Sequence, residues 1–232
     1  MGEEMEGPGE IEALLAAGVA RFMGHELYVE PGVLVPRAVS EVLVRAAREI
    51  HDRDAPLVIV DMGCGSGNVG VALAHVFPRA RVFSADVSPK AVALAQKNAK
   101  KHGLEDRMEV RQGDLFAPLA DLVGQVDLVT CSPPFISSGK LAKESAHLLE
   151  HEPREAFDAG PYGIALHQRL VRECVPYLKP GRGWLVVEHG EGQERAVRSL
   201  VERARAYDEA RPHECHEGRF VAAIAARRAR AG

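Results

Sequence analysis

The stretch from Val58 to Gly70 reads Val-Ile-Val-Asp-Met-Gly-Cys-Gly-Ser-Gly-Asn-Val-Gly and constrains the chain more than any other. Leu57 to Val60 is a short apolar run of the kind a parallel strand buried on both faces requires. Asp61 ends it, and Gly63, Gly65 and Gly67 follow at alternate positions before the helix-compatible segment Val69 to Phe77. Glycines so placed force a tight strand-to-helix turn, with outward-pointing backbone N–H groups expected to meet a polar or anionic ligand.

Two nucleotide-type ligands compete for such a turn. Gly65, Gly67 and Gly70 match the dinucleotide spacing G-x-G-x-x-G, with Asp86 about where a ribose-binding acid is expected. Asp61 and Met62, however, separate the strand from the first glycine, so that Gly63 to Gly67 is the better-placed turn. With an acid before the glycines and another after the second strand, this arrangement resembles the S-adenosylmethionine loop of class I methyltransferases.

The rest of the chain suits that reading. Ala80 to Ala85 is a second strand ending in Asp86, and Ser88 caps a helix with Pro89 at its first position and Gly103 as its stop. Arg107 to Gln112 and Val126 to Cys131 are further strands, closed by Gly113-Asp114-Leu115-Phe116 and Ser132-Pro133-Pro134-Phe135. Helices are expected over Ala38 to Ile50, Tyr162 to Leu178 and Gln193 to Ala206, and a fifth strand over Gly183 to Glu188. A last strand, Arg219 to Ala226, follows a turn-prone segment and so should insert antiparallel. Alternating strands and helices predict an α/β fold, a Rossmann-like, mostly parallel seven-stranded sheet with helices on both faces and an antiparallel last strand. Ligands of such sheets bind beyond the carboxyl ends of the strands, where Gly63 to Gly67, Asp86, Asp114 and Ser132 all fall.

Composition excludes several classes. No run of 18 apolar residues occurs and the N-terminus is acidic, which argues against a membrane span or secretory signal and for a cytoplasmic location. A net charge of −4, from 29 basic and 33 acidic residues, argues against a protein that coats nucleic acid. Cys64, Cys131, Cys174 and Cys215 lack the close pairing of a metal site and read as reduced thiols. His213, Cys215 and His216 lie close together without a second ligand pair, and His147 and His151 read as a solvated helix face, so no metal is expected. Residues 1–37 are taken as an N-terminal extension and entrance segment with a first helix over Ile11 to Ala17, 38–232 as the catalytic domain, and Ile136 to Glu152 as a polar lid-like loop.

Ser132-Pro133-Pro134-Phe135 is the stretch suited to chemistry. Its prolines remove N–H donors and leave carbonyls free to accept hydrogen bonds from a planar nitrogen, whose lone pair can then be aimed at an electrophile. Alignment of this kind supplies roughly 7 to 11 kcal/mol of a barrier.

Here the likeness becomes narrower. The chain resembles the HemK or PrmC family, protein-glutamine methyltransferases that modify peptide-release factors. Their Asn-Pro-Pro-Tyr element corresponds to Ser132 to Phe135, their Leu-Ile-Pro-Arg to Leu34-Val35-Pro36-Arg37, and their Glu-Pro-Arg to Glu152-Pro153-Arg154. Leu178-Lys179-Pro180-Gly181 matches the turn before their fifth strand. The resemblance implies a cofactor, S-adenosyl-L-methionine, released as S-adenosyl-L-homocysteine. Asp61 with Gly63, Cys64, Gly65 and Gly67 would hold its methionine portion, Asp86 with Val87 the ribose, and Asp114 with Leu115 the adenine. Ser132 and the Pro133 carbonyl would receive the acceptor nitrogen beside Pro134, Phe135 would pack on it, and Leu34, Pro36 and Arg37 would wall the substrate entrance.

Two departures stand out. Ser132 offers a short hydroxyl in place of the family's amide, and only about thirty residues precede the core, where the family carries a docking domain. The expected function is N-methylation of an amide or amine on a protein or peptide. The alternatives are a small-molecule N-methyltransferase, a nucleic-acid amino methyltransferase, which would need a basic surface, and a non-catalytic cofactor-binding subunit.

Overall fold

A computed structural model describes residues 8–143, 149, 152–214 and 221–230. His147, His151, Cys215, His216, part of the lid-like loop and most of the acidic N-terminus therefore lie outside the described residues.

The sheet is organised by the apolar runs. Strands β3 (Val58–Met62), β4 (Arg81–Asp86), β5 (Met108–Gln112), β6 (Leu128–Cys131) and β7 (Trp184–Gly190) run parallel in the order β5-β4-β3-β6-β7. Successive side chains point to opposite faces and feed two separate cores. Ile59, Val82, Leu128 and Val186 join one cluster, while Val60, Phe83, Val129 and Val187 join the other. Both faces are covered, and this is why these strands read as unbroken hydrophobic runs.

The first face is packed by α2 (Glu41–Ile50), α3 (Asn68–Val76) and the end of α4 (Pro89–Lys101). The second is packed by α6 (Ala165–Glu173) and α7 (Glu194–Ala204) with the turn Ala117–Leu122. Helix α4 starts as expected, with the Ser88 hydroxyl accepting the Ala91 N–H at 3.4 Å and Pro89 opening the first turn. Helix α6 is shorter than its apolar pattern suggests, because the backbone leaves the α conformation after Cys174 to lead into the isolated bridge between Leu178 and Val126.

The seventh strand corrects the expectation for the C-terminal region. Tyr207–Glu214, read as turn-prone, is strand β8 at the sheet edge, and β9 (Val221–Arg228) lies between β7 and β8, antiparallel to both. An edge strand needs hydrogen bonds on one side only, so it accepts Pro212 and charged residues that would disqualify a central strand.

Before the sheet, α1 (Pro8–Ala17) leads into a hairpin of β1 (Val19–Phe22) and β2 (His25–Tyr28). Residues 29–37 then form a strap that reaches the carboxyl edge of the sheet before a 3-10 turn, Ala38–Ser40, opens α2. Helix α5 (Ser138–Lys143) begins the segment after β6. No helix among the described residues is long and apolar enough to cross a membrane.

Close approach of α3 to the sheet depends on Gly70. A Cβ there would sit 2.6 Å from Ser84 Oγ and 3.0 Å from Asp61 Oδ2. Gly70→Ala is therefore expected to destabilise the protein by about 1–3 kcal/mol through overpacking, read as a lower midpoint in urea unfolding.

Candidate functional site

A cleft of about 590 Å³ opens along the carboxyl ends of the parallel strands. Its walls bring together the ends of β3, β4, β5 and β6: Gly63 and Gly65, Asp86 and Val87, Asp114 and Leu115, and Ser132 with Pro133 and Pro134. A smaller pocket of about 40 Å³ adjoins it, lined by Asp61, Cys64 and the strap residues Leu34, Pro36 and Arg37. Ser132 borders both spaces.

Gly67 and Phe135 are placed differently from the other expected residues. Gly67 packs on α4, where a Cβ would meet the Ala95 Cβ at 3.1 Å. The Phe135 ring packs against Gly190, and its carbonyl accepts from the Gln193 side chain at 2.8 Å.

The glycine turn also differs in a way that bears on its ligand. Its N–H groups are engaged within the fold: those of Gly63 and Cys64 bond the Ala85 carbonyl, that of Gly67 bonds Cys64, and that of Gly65 bonds Asp86 Oδ2 at 2.9 Å. Donors spent in this way are not offered to a pyrophosphate, which weighs against the dinucleotide reading. A Cβ at Gly63 or Gly65 would meet no atom within 4 Å, so the turn presents bare backbone to the adjoining space. Asp86 Oδ1 takes the Ser88 N–H, which orients the carboxylate at the cleft wall.

Asp61 is fully buried at the end of β3, with Oδ2 accepting the Gly70 N–H at 2.9 Å and Oδ1 the Thr130 hydroxyl at 3.3 Å. Burial pushes its carboxyl up to about 7 against the pull of those two bonds, with nearby Asp86 adding to the rise. A cation placed in the adjoining pocket would find a carboxyl that ionises readily around neutral pH. The cleft itself is walled by Met62, Ala85, Leu115 and Leu166, apolar surfaces suited to a flat ring. A buried acid, a second acid at the cleft wall and an apolar slot in this order are compatible with the cationic, hydroxyl-bearing and flat parts of S-adenosylmethionine. Asp114, at the rim, is held by both terminal nitrogens of Arg169 at 3.2 and 2.9 Å.

Two residues important to this geometry, Glu188 and Asn98, are not marked by the sequence, and the partners of a third, Glu152 of the Glu-Pro-Arg element, are not either. Glu188, in β7, is buried beside Ser132, and the Ser40 and Ser132 hydroxyls both donate to its carboxylate. Burial raises Glu188 to about 7, and its Oε2 has no partner among the described residues. A charged residue directly after the apolar run Trp184–Val187 was the available signal. Asn98, on α4, donates to the Ser66 carbonyl at 2.8 Å and exchanges bonds with the Tyr28 backbone, joining the glycine turn to the start of the strap. Glu152 accepts the Val35 N–H at 2.8 Å and pairs with Arg37 at 2.5 Å, both buried, so the Pro-Arg and Glu-Pro-Arg elements lock onto one another.

The family profile described as Methyltransferase small domain matches residues 38–160. The release factor glutamine methyltransferase of Synechocystis sp. is 34% identical over 200 residues, covering 84% of this chain and 67% of that protein. That of Cereibacter sphaeroides is 33% identical, with 86% and 73% covered. The chain belongs to the release factor glutamine methyltransferase family. Its relative from Moorella thermoacetica is 40% identical over 190 residues, covering 82% of this chain and 66% of that protein. The chain thus spans about two-thirds of the length of these curated relatives. In fold it is similar to the hMettl16 catalytic domain (TM-score 0.70, 17% identity, 96% of this chain and 82% of that one). It is also similar to an RNA methyltransferase from Salinibacter ruber in complex with S-adenosyl-L-homocysteine (TM-score 0.51, 23% identity, 84% and 94% covered).

Within this family member the strap is held by a buried charge pair, and a buried charge left without its partner is costly. Arg37→Met is expected to lower unfolding stability by about 3 kcal/mol or more. The double variant with Glu152→Gln should recover part of that loss in the same denaturation experiment.

Proposed function

We propose that this chain is an S-adenosylmethionine-dependent N-methyltransferase whose acceptor is the side-chain amide of a glutamine in a protein, a release factor by analogy with its named relatives. The observation that carries the reading is Ser132, which borders the main cleft and the Asp61 pocket alike and faces a buried carboxyl on its far side. The cofactor supplies a methyl group made electrophilic by its sulfonium. The protein's part is to hold and orient.

Ionised Glu188 accepts the Ser132 hydroxyl proton in a hydrogen bond, which leaves the Ser132 lone pairs for an N–H of the acceptor. The Pro133 carbonyl is a second acceptor, and together they would rotate the amide so that its nitrogen lone pair points into the cleft. Ser132 then does through Glu188 what an amide oxygen does unaided. Asp61 faces the cationic end of the donor and Asp86 its ribose hydroxyls. A cytosolic setting belongs to this same proposal.

The direct test is mass spectrometry of a glutamine-containing release-factor peptide, and of the whole factor, incubated with enzyme and S-adenosylmethionine. A gain of one methyl on glutamine is expected. Methylation of small amines with none on either polypeptide would favour the small-molecule reading. Asp86→Ala should weaken cofactor binding in calorimetry, whereas Ser132→Ala should leave binding intact and lower kcat.

Two pH effects follow from the buried acids. Asp61, raised to about 7, is neutral below that pH, whereas a cationic ligand prefers the carboxylate. Cofactor affinity should therefore fall by up to about tenfold per pH unit as pH drops below 7, and level off above it. Asp61→Asn should flatten that slope in calorimetry, and a flat profile in the unaltered enzyme would remove Asp61 from this role. For turnover at saturating substrates, kcat should rise as Glu188 ionises near 7. Glu188→Gln should abolish that rise and hold kcat near its low-pH value.

A further inference from the structure

At the opposite end of α3 from the cleft, three histidines distant in sequence converge. His25 comes from β2, His75 from the last turn of α3 and His102 from the cap of α4. One ring nitrogen from each lies within 4.8 Å of the other two. We propose that this trio binds a divalent transition metal of the zinc class, independently of the methyl-transfer site.

The protonation pattern supports ligation. His102 Nε2 lies 2.9 Å from the Glu26 carbonyl, which only accepts, so Nε2 carries the hydrogen and neutral His102 keeps a lone pair on Nδ1. Such a second bond from ring N–H to a backbone carbonyl commonly fixes the tautomer of a metal-ligating histidine. Nδ1 of His102 is 3.3 Å from Nε2 of His75. Two nitrogens bound tetrahedrally at about 2.0–2.1 Å from zinc stand about 3.3–3.4 Å apart, so this pair already spans one edge of the site. Without metal, His75 Nε2–H donates to His102 Nδ1. Ligation moves that hydrogen to the other ring nitrogen of His75.

His25 completes the set. Its ring stacks on His75 with centroids 4.3 Å apart, and both rings are partly exposed, so a rotation out of the stack brings a nitrogen to the shared position. Burial first, and their histidine neighbours next, hold His25 and His75 below the usual histidine range, with Arg107 adding to the effect on His75. Neutral imidazole is the form that binds metal.

The surroundings select the class of ion. A cleft of about 490 Å³ beside the trio is lined by Arg48, His51 and Arg53, and gives water a path to a fourth position. Glu26, the carboxylate on the same strand, is engaged by Lys101. Imidazole nitrogens flanked by arginines, with no carboxylate in the cluster among the described residues, suit zinc, nickel or cobalt and reject magnesium and calcium. Bound metal would tie the hairpin to α3 and α4.

The test uses the full chain without a histidine tag, stripped with chelator and titrated calorimetrically with ZnCl2, CoCl2 and MgCl2. One zinc per chain is expected, with visible cobalt absorption of tetrahedral type, no magnesium binding, and a Tm raised by zinc and restored by chelator. His25→Ala, His75→Ala and His102→Ala should each weaken zinc binding by more than the about 10- to 100-fold typical of losing an outer partner. Circular dichroism and cofactor affinity would confirm that each variant folds. His102→Gln offers a milder replacement should the alanine variant not fold. Absence of stoichiometric zinc binding overturns the proposal. So does zinc binding that persists in the triple variant and disappears with His213→Ala.

Discussion

The contact between Asp61 and Gly70 sets the geometry of the rest. Only a residue without a side chain lets α3 approach β3 and β4 closely enough for the Gly70 N–H to reach the Asp61 carboxylate. That approach buries Asp61 completely, and the burial, rather than any charged neighbour, is the main cause of its raised pKa. The same packing fixes where the glycine turn leaves the sheet. Asp86 then ties the turn to the next strand through the Gly65 N–H.

A second layer of constraint comes from outside the sheet. The strap of residues 29–37 has little regular structure, yet it is held at both ends by buried polar groups: Asn98 at Tyr28 and Glu152 at Val35 and Arg37. Val29, Val33 and Val35 are buried along it, so apolar packing and polar anchoring act together. The smaller pocket beside Asp61 exists because this strap closes over the turn.

The site is electrostatically unusual in holding two buried carboxyls, Asp61 and Glu188, that both titrate near 7. Both owe their shift first to desolvation, and they lie on either side of Ser132: Asp61 lines the pocket that Ser132 borders, and Glu188 receives its hydroxyl. A low-dielectric setting of this kind strengthens each remaining interaction with a cation or an N–H group. Glu188 on β7 also fixes the direction of the Ser132 hydroxyl.

Much of this was legible in the linear chain, because period and turn chemistry are local properties. Apolar runs, the glycine turn, the Ser88-Pro89 cap and the polar residues at strand ends identified the doubly covered parallel sheet and the edge along which the cleft opens. Strand β8 was not legible, since an edge strand tolerates proline and charge and so lacks the pattern that identifies a central one. Helix α6 ended early because the chain beyond it bridges Leu178 to Val126, a partner distant in sequence. The roles of Glu188, Asn98 and Glu152 required tertiary structure, as their partners stand 56, 70 and 115 residues away along the chain. The three histidines are a further case, 50 and 27 residues apart and in ring contact only once the hairpin folds against α3 and α4. Sequence alone determined which residues could form the site, because backbone preference and hydrophobic period act over a few neighbours. Which carboxyls are desolvated, and which side chains meet, was decided only by long-range packing.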